Sequence, residues 1–160
     1  MSAITFNIAK GREVEFYERV NTNDPANSAL IMLLLQTGGD SLSTLQDYDT
    51  LAALLAGPSN EITVAGYARK TLTDADLAAW APDDSTNSTS LVLPLQTYTL
   101  TATGQTIDIV VVGYDSDTTG GTDANIVPVT AAETRENGTA IPTLVGDVIV
   151  DYSNLWVTAV

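Results

Sequence analysis

The chain contains no histidine and no cysteine, and only six basic side chains stand against twenty Asp and Glu in its 160 residues. Each absence excludes chemistry. Histidine is the usual general base near neutral pH and the commonest metal ligand, so a Ser-His-Asp triad and a histidine-ligated metal centre are ruled out. Without cysteine there is no thiolate nucleophile, no soft metal ligand and no disulfide framework. The bases, Lys10, Arg12, Arg19, Arg69, Lys70 and Arg135, are too scattered for a nucleic-acid face, and a formal net charge of −14 repels phosphates and anionic lipid head groups. Neither nucleic acid nor membrane is therefore expected as a partner. Long apolar runs are missing too. The longest, residues 29–35, is far too short to span a bilayer. The N-terminal MSAITFNIAKGREVEF lacks the apolar stretch of a signal peptide. The composition predicts a soluble, acidic domain that is not an enzyme and needs no cofactor.

What is present argues for a folded chain. Hydrophobic residues make up 44%, enough to exclude disorder despite the charge. The length fits one domain over residues 1–160, able to bury about two thirds of its unfolded surface. Three parts are expected: N-terminal strands or an arm at 1–20, a helical hairpin at 24–57 and a β-rich body at 60–160.

In the first part, residues 5–8 and 13–17 read as short strands joined at Lys10-Gly11, because Val14 and Phe16 alternate with Arg12, Glu13 and Glu15. Asp24-Pro25 reads as a helix start, with Asp as N-cap and Pro at the first helical position. The segment ANSALIMLLLQTGG that follows is apolar almost all round and ends at Gly38-Gly39, as a buried helix would. A buried strand over residues 30–35 is the alternative. A second helix starts at Ser43, with Gln46 completing a capping box. Leu45, Tyr48, Leu51, Ala52 and Leu55 form its buried stripe, and Gly57-Pro58 ends it.

Beyond Pro58 the composition shifts. Residues 62–64 are a strand candidate, Thr73 and Asp76 cap a short helix ending near Trp80, and residues 82–90 read as a polar loop. Thr, Val, Ile and Gly then dominate, which suits pleated surfaces. Strands are predicted at 91–101, 106–114, 126–130, 131–136, 139–144 and 148–152, with 107–112 the most central. Asn137-Gly138 is a hairpin signal, and Pro94 and Pro128 mark edges or bulges. The fold class is mainly β (α+β), a β-sandwich or distorted barrel with an αα-hairpin near the N-terminus.

Three constellations invite a functional reading. The acidic loop from Asp115 through Asp117, Gly120, Gly121 and Asp123 to Asn125 begins like a calcium loop, but Thr119 and Ile126 stand where an EF-hand needs oxygen ligands. An irregular calcium or sodium site using Asp115, Asp117 and Asp123 is set against an exposed hairpin tip whose acids cap their own backbone. The tip is preferred, so no metal is assigned, and replacing all three by Asn is expected to leave stability nearly unchanged. Asp74, Asp76, Asp83 and Asp84 contain a conceivable glycosidase pair, but a helix start and a polar loop explain them. Arg69-Lys70 is the only adjacent basic pair, a partner contact or a match for the chain's own acids. Trp80 and Trp156 read either as interface anchors or as partly buried core, with core preferred for both, and Trp156 is kept as a candidate partner contact.

Two stretches, YARKTLTDADL at 67–77 and YDSDTTGGTDANIVP at 114–128, carry a resemblance, with NDPANSAL at 23–30 and LQDY at 45–48 in support. Together they resemble small virion-associated proteins encoded in the structural gene clusters of tailed bacteriophages, over roughly residues 20 to 150. The resemblance implies a non-enzymatic virion structural protein, foremost a capsid decoration (cement) protein on the capsid exterior, made in the cytoplasm of the bacterial host. Its implied partners are the major capsid protein and further copies of itself, as a trimer where capsomers meet. A tail, baseplate or head-tail adaptor component is the competing role, and a carbohydrate-binding module on the virion a weaker one. It carries over no catalytic residues.

Overall fold

The run that looked helical is the centre of the fold, and it is a strand. In the computed structural model, which describes residues 2–85, 88–134, 139–151 and 156–159, β2 (Ala29–Gln36) is buried at every position from Ala29 to Leu35. It pairs antiparallel with β7 (Thr106–Asp115), from Ala29 opposite Asp115 to Gln36 opposite Ile107. On the far side of β7 lie β8 (Val127–Glu133) and then β1 (Ala3–Thr5). On the far side of β2 lies β3 (Lys70–Leu72), and the short β9 (Ile141–Pro142) pairs with the start of β7. The strand predicted to be most central is central.

The αα-hairpin is corrected. A strand covered on both faces must be apolar throughout, so it shows the same composition as a buried helix. The apparent cap is a turn. The Asp24–Pro25 peptide is cis, Asn23 and Asn27 have positive φ, and the Asn27 N–H donates to Asn23 Oδ1 at 2.9 Å. The second predicted helix exists as two pieces, α2 (Leu42–Leu45) and α3 (Leu51–Ala56), the latter ending at Gly57. The side-chain cap is Thr50, whose Oγ1 accepts from the Ala53 N–H, whereas Gln46 donates to the Ser43 carbonyl.

The predicted strand at 13–17 is also corrected. It is the start of α1 (Glu13–Asn21), which buries Phe16, Tyr17 and Val20. A five-residue window showed alternation; Val20, beyond it, completes with Phe16 and Tyr17 the helical spacing. Phe16 stacks on Tyr114 of β7 with ring centroids 4.8 Å apart, and the Tyr17 hydroxyl donates toward the carbonyls of Ala78 and Val92. The strand expected at 5–8 is β1 followed by a 3-10 turn, Asn7–Ala9.

The remaining strands form two small sheets. β4 (Pro82–Asp83), β5 (Ser88–Leu91) and β11 (Trp156–Ala159) make one, so the expected loop at 82–90 contains strand. β6 (Gln96–Leu100) and β10 (Gly146–Val150) make the other. The strand expected at 91–101 is broken at residues 92–95, which hold Pro94, while 126–130 and 131–136 merge into β8. Pro128 falls at the register shift beside Val112/Gly113, where a residue without an N–H donor is at home. Residues 62–64 form no strand, an isolated bridge of Glu61 with Leu35 standing just before them, and after Thr73 a turn closed by Asp76 replaces the helix. The Asn137-Gly138 hairpin and Arg135 lie outside the described residues. Three antiparallel sheets that do not close on one another make the fold mainly β and sandwich-like, not a closed barrel. Tyr98 of β6 ties the small sheet to the large one by donating to the Met32 carbonyl at 3.3 Å.

Candidate functional site

The segment 61–69 runs between β2 and β6 and is held on both sides. The Ile62 N–H donates to the Leu34 carbonyl, and the Thr101 N–H donates to the Ala65 carbonyl at 2.8 Å. The Gln105 Oε1 accepts from the N–H groups of Thr63 and Val64. At Gly66, φ is +88°, and a Cβ would stand 2.5 Å from the Thr99 carbonyl oxygen. Only glycine satisfies both the left-handed backbone and the close approach to β6.

This clamped segment presents Arg69 to two carboxylates. Its Nε and Nη2 donate to Glu61, at 2.9 and 2.7 Å, and its Nη1 and Nη2 donate to Asp123, at 2.5 and 3.0 Å. A planar guanidinium can serve two carboxylates in this forked manner, whereas an ammonium cannot. The hydrogen bonds to Asp123 and then to Glu61 hold the Arg69 guanidinium even more firmly charged than usual, and the same bonds hold Asp123 below its ordinary value. Glu61 also accepts from the Tyr67 hydroxyl at 2.7 Å, and that hydroxyl accepts from the Leu34 N–H at 3.0 Å. Tyr67 stacks on Tyr98 at 5.7 Å. Burial, reinforced by the Glu61 charge, pushes both phenols up.

The acidic loop between β7 and β8 is therefore not a free tip. Asp115 is 4% exposed, its Oδ1 accepts from the Asp117 N–H, and a Cβ at Gly121 would lie 2.6 Å from its Oδ2. Asp117 Oδ1 accepts from the N–H and hydroxyl of Thr119, in the backbone-capping role expected of a loop acid, and these bonds hold it below its ordinary value. The far end of the loop is gripped by α3, whose Leu51 and Ala52 N–H groups donate to the carbonyls of Ile126 and Asp123. The three acids read as candidate ion ligands thus have separate employments, with Asp123 committed to Arg69. Among the described residues no three acidic side chains converge as a metal ion would require.

A second arginine–carboxylate cluster lies on α1. Glu15 accepts from Arg12 Nε and from Arg19 Nε, both at 2.9 Å, and the Arg12 guanidinium carbon sits 4.6 Å from the centre of the Phe16 ring. The two arginines hold the Glu15 carboxyl down to about 2. Nearby, Lys10 donates to Asn7, which donates to Asp47, each at 2.6 Å. Beside α1, an open groove of about 300 Å³ is rimmed by Glu15, Glu18, Arg19, Thr22 and Asp24.

The other sequence candidates fall apart from one another. Lys70, on β3, is half-buried with its Nζ 5.1 Å from the centre of the Tyr98 ring. Trp156 lies on β11 opposite Leu91, and its side chain is outside the described residues. Trp80 is 36% exposed, more open than a core position. Asp76 accepts from the N–H and hydroxyl of Thr73 while Asp74 is exposed, so the imagined carboxylate pair is occupied in a turn. Sequence reading missed Glu61 altogether. Its partners Tyr67 and Arg69 lie 6 and 8 residues on along a segment that is neither helix nor regular strand, so no period marks the pairing. Among the described residues no helix is long and apolar enough to cross a membrane. Comparison with protein-family models, curated proteins and solved structures finds no match.

Proposed function

We propose that this protein is a non-enzymatic structural protein of a bacteriophage virion, a decoration protein that binds the major capsid protein on the outside of the shell. The observation that carries the reading is electrostatic. Arg12 and Arg19 are spent on Glu15, and Arg69 on Glu61 and Asp123, while Glu18, Asp24, Asp47, Asp74 and Asp84 face solvent. A surface of this kind stays soluble at high copy number and resists self-aggregation before assembly. It also steers the molecule to a basic surface. The clamped segment 61–69 and the gripped acidic loop support the same reading, since a peg on a shell lattice needs rigidity and no moving parts. The resemblance of residues 67–77 and 114–128 to small virion proteins supplies the virion context. On the shell the copies gather as trimers where capsomers meet, because closed symmetry is the rule for homo-oligomers.

Quantitative mass spectrometry of purified particles tests this. Decoration requires on the order of hundreds of copies per particle, while a symmetric tail or head-tail adaptor ring needs only about six or twelve. The lower number transfers the protein to the adaptor role, and absence from the particle ends the virion reading.

A further inference from the structure

We infer that the outer face and open edge of the β6–β10 sheet form a docking site for an extended, basic segment of a partner protein. The inference stands apart from the virion reading, since it concerns the chemistry of what covers this face and not the particle that supplies it.

Alternate residues of this sheet divide sharply. Tyr98, Leu100 and Val150 are buried against the body, while Thr97, Thr99, Asp147 and Ile149 face outward. Ile149, opposite Thr97, is 65% exposed, and Leu95, just before β6, is 59% exposed. Leu144 and Val145, just before β10, are 62% and 70% exposed. These four are the most exposed large apolar side chains among the described residues. Leu95 flanks one end of the sheet and Leu144 and Val145 the other, with Ile149 between, and exposed apolar residues concentrated on one small sheet mark an interaction surface more often than ones scattered singly over a protein.

The edge points the same way. On its other side β6 meets the segment carrying Ala65 and Gly66. β10 has β6 on one side and, among the described residues, no strand on the other. Open edges are normally guarded by Lys, Pro or a bulge. β10 has none of these; its sequence is GDVIV and its register with β6 runs without a shift. Among the described residues no strand pairs with its outward N–H and C=O groups, the arrangement that strand addition uses, in which main-chain bonds give affinity and alternate side chains give specificity.

Charge selects the occupant. No base lies within residues 95–101 or 143–151, where the charged groups are Asp147 and Asp151. A second copy docked by this same sheet would bring acid against acid with no base to match. Val145, Asp147 and Ile149 share the outer face at every second position, so a partner strand with apolar residues at i and i+4 and Lys or Arg at i+2 instead sets its apolar side chains beside Val145 and Ile149 and its cation beside Asp147. Asp147 already accepts from the Thr99 hydroxyl at 2.7 Å, which holds its carboxylate on the outer face.

The test uses the full chain and three labelled peptides of about eight residues, the length of a typical strand and its flanks. All carry Ser at every second position; at the positions between, which share one face, the first alternates Val with Lys, the second Val with Glu and the third Ser with Lys. By fluorescence anisotropy the Val/Lys peptide is expected to bind, and each of the others to bind at least about tenfold more weakly. The charge-neutral double variant Val145→Thr/Ile149→Thr, at two exposed positions, is expected to weaken Val/Lys binding by about tenfold without changing the melting temperature. Asp147→Asn is expected to weaken it less, and keeps the test decisive if the double variant does not fold. Amide exchange in β10 is expected to slow on binding. Equal binding of Ser/Lys and Val/Lys peptides would reduce the effect to net charge and overturn the proposal. So would wild-type affinity in both variants, no binding of the Val/Lys peptide, or sedimentation showing self-association through Val145 and Ile149.

Discussion

The two arginine–carboxylate clusters use the same functional groups and have opposite physical standing. On α1, two arginines share Glu15 at helical spacing, and the side chains keep 39% to 47% of their exposure. Between β3 and the β7–β8 loop, one arginine serves two carboxylates, with side-chain exposures of 28% for Arg69, 17% for Glu61 and 35% for Asp123. The first cluster decorates an element that its apolar stripe already holds; exposed pairs of this kind contribute little. The second joins segments far apart in sequence and leaves two acids facing each other if the cation is removed.

The largest expected effect comes from displacing the segment that carries Arg69. In Gly66→Ala the new Cβ meets the Thr99 carbonyl and, at 2.8 Å, the Thr101 nitrogen, both backbone atoms that cannot swing aside. Strained backbone and overpacking together are expected to cost about 3 kcal/mol, read from the urea midpoint. A midpoint close to wild type would show that the segment is not clamped.

Arg69→Met comes next. Breaking a fully buried pair costs about 3–5 kcal/mol; the partial exposure here reduces the expectation to about 2 kcal/mol, with Arg69→Lys falling between. The loss is expected to depend on pH. Asp123 is held below its ordinary value of 3.8, so it adds stability above that pH which disappears as pH falls through the lower folded value. Wild type and Arg69→Met are therefore expected to differ most near neutrality and to converge in the acid range below about 3.8. Parallel curves from pH 7 to 2 would refute the assignment of that shift to Arg69.

Asp123→Asn alone is expected to lose about 1–2 kcal/mol, because it weakens charge-assisted bonds at a half-covered site. This revises the sequence-based expectation that the three loop acids are interchangeable with Asn. Asp117→Asn, at an exposed turn, is expected to leave the melting temperature unchanged. Added calcium is expected to raise the melting temperature neither of the wild type nor of the variant with Asp115, Asp117 and Asp123 all replaced by Asn. A calcium-dependent rise in wild type that is lost with the three acids would instead show that the loop releases Asp123 to an ion.

Of changes to the two clusters, Glu15→Gln is expected to have the smallest effect. Whatever Glu15 contributes is present above its ordinary value of 4.5 and fades as pH falls toward about 2. It should vanish in about 1 M salt, where exposed charges are screened within a few ångströms. A salt-resistant loss matching that of Arg69→Met would erase the contrast between the clusters.

The sequence by itself determined the acidic, mainly β character of the chain, the central place of residues 107–112, the helix end at Gly57 and the bulge beside Pro128. These follow from local chemistry: β-branched residues suit pleated surfaces, and proline lacks a donor. The Arg12, Glu15 and Arg19 spacing was equally local, although the short alternation around Val14 and Phe16 concealed the helix. Only the tertiary structure decided that residues 29–35 are a strand, because burial on both faces demands the same apolar run of a strand as of a helix. It also decided that Asp123 belongs to Arg69, and that Ile149 is exposed while Val150 is buried. A contact between residues so far apart in the chain has no period, and the face a β residue presents is chosen by what packs against the sheet.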